Sequence, residues 1–191
     1  MKLVAGAWWM AAALLALTAC GKKEAPPAAA PPPAAAPAPN RDAEREAAER
    51  AAREAEAAAA ARRAAEQLRA TLEARVFFDY DESDIRDDAR RTLDDKVRAM
   101  RDNAAVRLRV EGHADERGST EYNLALGSRR AQSVVNYMSG FGIAATRLET
   151  VSFGEERPLV RGSDERAWSQ NRRAEFVITA GMPAATETSA R

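Results

Sequence analysis

The side chains able to do chemistry are few, and their scarcity narrows what the chain can be. Its 191 residues hold one Cys and one His. A disulfide within the chain is therefore impossible, and a Cys/His metal cage has no ligand set to draw on. His113 has no second His or Cys to work with, so it is expected to be a structural or rim histidine. Acids gather at Asp81 and Glu82, and again at Asp115 and Glu116. Asp81, Asp115 and Glu116 could imitate the carboxylate pair of a glycosidase. With no zinc set and no reactive Cys, catalysis is not expected, nor is any metal or cofactor. Asp115 and Arg130 are opposite in charge; taken alone, Arg130 reads as a solvated helix arginine, but the spacing admits a pair. Asp115 falls just past a strand end, and Arg130 lies about three turns into the helix that follows. A strand–loop–helix reversal can bring the two together.

The elements that must position them are legible from periodicity. Val76-Phe77-Phe78-Asp79-Tyr80 is expected to be a strand, followed by a loop over 81–85. Asp84, three residues before Asp87, suits a helix N-terminus. Ala89, Leu93, Val97 and Met100 then repeat at helical spacing. Val106, Leu108 and Val110 alternate with Arg107, Arg109 and Glu111, as in a half-buried strand. A polar loop from Gly112 to Gly118 leads to Ser119 or Thr120, either of which can cap a second helix. Leu124, Ala131, Val134, Val135 and Met138 supply that helix's apolar set, and Gly140 and Gly142 end it. Leu148 to Phe153 is a third strand. A long loop over 154–172 carries a helical turn near Trp168, which should anchor it by packing. Ala174, Phe176 and Ile178 mark the last strand. The fold class expected is α+β, a two-layer α/β sandwich in the order β-α-β-α-β-β with a short helix before the last strand.

Composition divides the chain. Of its 45 Ala residues, 30 lie before residue 76, while nine of its 11 aromatics lie after residue 75. Ala buries little surface, so the first 75 residues cannot build a sizeable core. Residues 76–181 are expected to form the domain, with 182–191 a frayed tail. Residues 75–181 carry 18 basic and 19 acidic groups, a balance that argues against a nucleic-acid partner.

The leading segment reads in three parts. Residues 1–19 have a basic Lys2 and a short apolar run, as in a secretory signal peptide. Leu17-Thr18-Ala19-Cys20 resembles a lipobox, which makes Cys20 the expected lipidation site. Gly21, where Asp would favour inner-membrane retention, implies the outer membrane and its periplasmic side. Residues 20–40 hold seven of the nine prolines and should be a stiff, extended tether. Residues 41–75 are Ala, Glu and Arg without Gly or Pro, with Asn40 as an N-cap. They should form a helical spacer. No Leu/Ile heptad is sustained, so a solvated rod is expected ahead of an Ala-seamed coiled coil.

Four ordered blocks carry a family resemblance. They are Val76-Phe77-Phe78-Asp79-Tyr80-Asp81, Glu111-Gly112-His113-Ala114-Asp115-Glu116-Arg117-Gly118, Asn123-Leu124-Ala125-Leu126-Gly127-Ser128-Arg129-Arg130-Ala131 and Asn171-Arg172-Arg173-Ala174-Glu175. Together they resemble the OmpA-like peptidoglycan-binding domain. The lipobox, the Glu-Gly-His-Ala-Asp-Glu-Arg-Gly loop and Leu126-Gly127 are similar to one subgroup, the cell-wall-associated lipoproteins of the Tol-Pal system. The resemblance implies a non-catalytic anchor that binds the diaminopimelate stem peptide of peptidoglycan. By that match Asp115 takes the ligand's ammonium, and Arg130, rather than Arg129, takes its carboxylate through the guanidinium fork. Asp81 and Ser83 match contact positions, Arg117 contacts the stem or braces the loop, Asn123 ties the second helix to the site loop, and Leu126 is core. The resemblance also implies TolB as a partner, competing with the wall. A Pal-like paralogue or a periplasmic spacer lipoprotein without a Tol role is the alternative.

Overall fold

A computed structural model describes residues 40–183. The signal segment, Cys20, the Pro/Ala tether and the tail from 184, with the expectations placed on them, lie outside the described residues. Helix α1 (Arg41–Glu73) runs for 33 residues, about 50 Å at 1.5 Å per residue. It is exposed along most of its length, but Leu72 is fully buried and Leu68 packs against the core. The expected helix forms, and its last turn is core rather than spacer.

The remaining elements are β1 (Val76–Phe77), α2 (Asp87–Asp102), β2 (Arg107–His113), α3 (Thr120–Gly140), β3 (Leu148–Gly154), α4 (Glu165–Asn171) and β4 (Arg173–Ala180). One turn of 3-10 helix, Ala145–Arg147, precedes β3. The order expected from periodicity is the order found. The four strands lie as β1-β4-β2-β3. Strand β2 runs parallel to β3 and antiparallel to β4, and β4 pairs antiparallel with β1. Helix α3 packs on β2 and β3, and α2 on β1 and α3. Leu93, Val97, Met100, Leu108, Val110, Val134, Met138 and Phe176 form the centre of the core between helices and sheet.

Two local expectations are corrected. The strand expected over 76–80 has only two ladder residues. Phe78 still donates its N–H to the Arg172 carbonyl at 2.9 Å, but the Asp79 carbonyl turns away to accept from Arg130 at 3.0 Å. The chain then reverses at Asp81, whose φ is 58°. Asp84 is not the cap of α2. Arg86 holds that position without a side-chain bond, and Asp88 serves the first turn instead, accepting from the Ala89 N–H at 2.9 Å. At α3, Ser119 is the cap and accepts from the Tyr122 N–H at 3.2 Å.

Strand β2 and α3 meet backbone to backbone. A Cβ on Gly112 would lie 1.8 Å from the Gly127 carbonyl oxygen, so neither side chain nor slack exists at that crossing. Buried Lys96 donates to the Thr71 and Leu72 carbonyls at 2.9 and 2.7 Å. It thereby satisfies orphan acceptors near the C-terminus of α1. Its ammonium also lies 3.9 Å over the Phe176 ring.

Candidate functional site

The loop after β2 and the first turns of α3 converge with the loop after β1. They enclose a cleft of about 100 Å³ lined by Tyr80, Asp81, Asp115, Arg117, Gly118, Tyr122, Asn123, Leu126 and Arg130. Five of the six residues proposed from sequence to bind therefore share one cleft. Ser83 is half-buried in the same loop as Asp81 but is not among the lining residues.

Asp115 is buried, with 5% of its surface exposed. Its carboxylate accepts from Arg117 Nε at 3.1 Å and Nη2 at 2.7 Å, and from the Arg117 backbone N–H at 3.1 Å. Arg172 Nη1 adds a contact at 3.4 Å. Burial pushes the Asp115 carboxyl up, but the Arg117 and Arg172 bonds outweigh it and the net shift is downward. Asp115 is thus an anion held charged in a largely dry place.

Arg130 is fully buried. Nε donates to the Glu82 carbonyl at 2.8 Å, Nη1 to that of His113 at 2.8 Å, and Nη2 to that of Asp79 at 3.0 Å. Three of its five N–H donors are thereby committed to backbone carbonyls, and one remains on each of Nη1 and Nη2. Burial lowers its pKa to about 10, so the guanidinium stays charged at neutral pH. The neighbouring Arg129 is exposed, 5.7 Å from the Tyr122 ring centroid.

Arg117 braces the cleft by stacking as well as charge. Its guanidinium carbon lies 3.9 Å from the Tyr80 ring centroid and 4.1 Å from that of Trp168. Trp168 Nε1 donates to Glu116 at 3.3 Å, so the expected loop anchor bonds back to the site loop. On the other side the Tyr122 hydroxyl bonds Asp81. Asn123 is 1% exposed, and its amide donates to Glu155 at 2.5 Å. It ties α3 to the loop after β3, not to the 112–118 loop as sequence suggested, because Gly154 brings that backbone against Asn123. Leu126 is buried and forms part of the cleft floor.

Arg172 has no role that the sequence makes legible. It is 5% exposed and joins three elements. It donates to the Phe78 carbonyl at 3.1 Å, to Asp115, and to Glu165 at 2.6 Å. Adjacent Asn171 accepts from the Leu159 and Val160 N–H groups at 2.7 and 3.0 Å, pinning the long loop. The signal was an uninterrupted Asn-Arg-Arg at a strand start, but nothing local says which loop each side chain reaches.

What the arrangement can do follows from charge. A buried anion and a buried cation face one narrow cleft with aromatic hydroxyls at its rim. That is a receptacle for a small group carrying both charges, not for a hydrophobe or a polyanion. A family model described as the OmpA family matches residues 77–172. The chain belongs to the OmpA family. Within the OmpA family, proteins named peptidoglycan-associated lipoprotein are similar to it. That of Mesorhizobium japonicum is 44% identical over 115 residues, covering 60% of this chain and 68% of the relative. That of Pseudomonas putida is 47% identical over 100 residues, covering 52% and 60%. The shared part thus spans about two thirds or less of those relatives. The crystal structure of the peptidoglycan-associated lipoprotein from Burkholderia pseudomallei superposes with a TM-score of 0.54 at 38% identity, covering 55% of this chain and 88% of that one. The C-terminal domain of Helicobacter pylori MotB shares the fold at 18% identity and a TM-score of 0.52, covering 56% and 84%.

Proposed function

We propose that the chain is a lipid-anchored protein of the outer membrane that binds peptidoglycan non-covalently through the Asp115–Arg130 cleft. The observation that carries this is the pairing, in one cleft, of a carboxylate kept charged and a guanidinium with donors to spare, in a chain whose relatives are named for peptidoglycan association. The ligand that fits is the free end of a diaminopimelate stem, with an ammonium and a carboxylate on one carbon. Asp115 takes the ammonium and Arg130 the carboxylate; Asp81, Ser83, Arg117 and Asn123 shape the approach. Lipid on Cys20 holds the other end in the membrane. A single small cleft gives modest affinity, and many copies hold by avidity.

The mechanism is capture without bond breaking. Arg117 and Arg172 keep Asp115 ionised before the ligand arrives, so its charge is not waiting on a proton. The three carbonyls that grip Arg130 fix the guanidinium plane, so little rotamer freedom is lost when a carboxylate docks. Participation in the Tol-Pal system, with TolB competing for the same face, belongs to this proposal. The exposed length of α1 favours a second reading, a spacer lipoprotein without a Tol role.

Sedimentation of the full chain with purified diaminopimelate-type sacculi tests the binding. Asp115→Ala should weaken co-sedimentation by about tenfold or more. Undiminished binding by a folded Asp115→Ala variant would refute the site. Release of soluble wall fragments would instead revive an enzymatic reading. Displacement of the chain from sacculi by TolB separates the Tol reading from the spacer reading.

A further inference from the structure

On the sheet face opposite Leu108 and Val110, an unusual set of side chains comes together away from the cleft. Glu111 of β2 and Glu175 of β4 are direct cross-strand partners. Two carboxylates placed so repel one another. Arginines hold each through a single oxygen. Arg109 Nε donates to Glu111 Oε1 at 2.8 Å, and Arg75 and Arg173 both donate through Nε to Glu175 Oε1 at 2.8 Å. Neither Oε2 accepts any of these bonds. Two residues along the same face of β2 stands His113, 1% exposed, with neither ring nitrogen hydrogen-bonded. A buried imidazole without a partner forfeits the solvation of both nitrogens. One ligand atom from each of Glu111, His113 and Glu175 lies within 4.8 Å of the other two.

We propose that Glu111, His113 and Glu175 form a site for a divalent transition-metal cation of the zinc type. One imidazole and two carboxylates are the ligand set such ions take, whereas Mg²⁺ and Ca²⁺ favour oxygen alone. The sequence held no Cys/His cage; this site is made instead by strand register, which brings in a carboxylate 64 residues further along the chain. Zinc ligands in a tetrahedral site stand about 3.4 Å apart, so a modest closing of two glutamate side chains completes the grip. The arginines on Oε1 play the part of outer-shell groups that hold ligating carboxylates in place. Phe153 stacks on the imidazole at 5.6 Å between centroids and 27° between planes, fixing the ring. Arg75, Arg109 and Arg173 already offset the two carboxylates, so the site binds more weakly than a closed structural zinc centre. Its occupation clasps β2 to β4, two residues before Asp115.

His113 is the chain's only histidine, so its ring signals in a ¹H–¹⁵N spectrum of the full chain report on this site alone. Zn²⁺ added as its chloride should shift them saturably at one equivalent, and MgCl₂ should not. Glu175→Gln should weaken the Zn²⁺ response by about tenfold or more. Glu111→Gln should do the same, and it serves if the first variant does not fold. Unmoved ring signals at about 1 mM Zn²⁺ overturn the proposal, even if the metal is taken up elsewhere on the chain. So does an equal response in a folded glutamine variant.

Discussion

Arg130 shows how one residue can be both structural and functional. Its guanidinium binds the carbonyls of Asp79, Glu82 and His113, and the bond to His113 is fully buried. Arg130→Ala should therefore cost at least about 3 kcal/mol of stability, measured by denaturant titration, and its loss of wall binding must be read beside that unfolding. Asp115→Ala should cost less, since Arg117 and Arg172 keep other partners in Glu165 and the Phe78 carbonyl. Arg172→Gln gives a third outcome. The Asp115 carboxylate loses a brace but keeps Arg117, so wall binding should fall by less than in Asp115→Ala, by about twofold to fivefold in sacculus sedimentation. At this scale the sequence was informative where residue type alone decides. Asp115 and Arg130 were legible through the family motifs, which also choose Arg130 over Arg129. Arg172 does not, because its role is set by contacts 57 and 94 residues away.

At the scale of elements, hydrophobic periodicity placed α2, α3, β2 and β4, because each buries apolar residues at its own spacing. Periodicity misjudged β1, where Phe78 is buried like a strand residue while the backbone has already left the ladder to meet Arg130. It also could not see the β2–α3 crossing, which depends on absent side chains. Gly112→Ala should destabilise by about 3 kcal/mol or more, seen as a lowered denaturant midpoint, since backbone must move. Lys96 belongs here too. Burial lowers its pKa to about 7, against an ordinary 10.5. The unfolded chain thus binds the extra proton between those values, and stability attributable to Lys96 should rise with pH from about 7 to 10.5. Lys96→Met should flatten that part of the profile, while also freeing the Thr71 and Leu72 carbonyls.

For the whole molecule, composition divides an Ala-rich lead from a core-building domain and puts the border at residue 75. Leu72 and Lys96 move that border back by a turn, because what is Ala-rich on average can still end in a buried leucine. Leu72→Ala should cost about 2–5 kcal/mol in thermal or denaturant unfolding, whereas deleting residues 41–66 should leave the domain's stability unchanged. The same deletion tests reach. If the rod sets how far the cleft stands from the membrane, shortening it should abolish function in cells without changing sacculus binding in the test tube.

The Lys96 clasp on α1 has a mechanical consequence. If the wall is held at one end and the envelope pulls on the other, tension enters the domain along α1. The next element in line is β1, an edge strand with two ladder residues, which could be peeled from β4 one bond at a time. The clasp diverts that load. Thr71 and Leu72 are tied to Lys96 in the middle of α2, so force passes into a helix packed against the core before it reaches the weak edge. In an optical-tweezers experiment pulling from residue 41, Lys96→Met should give way at lower force than the parent.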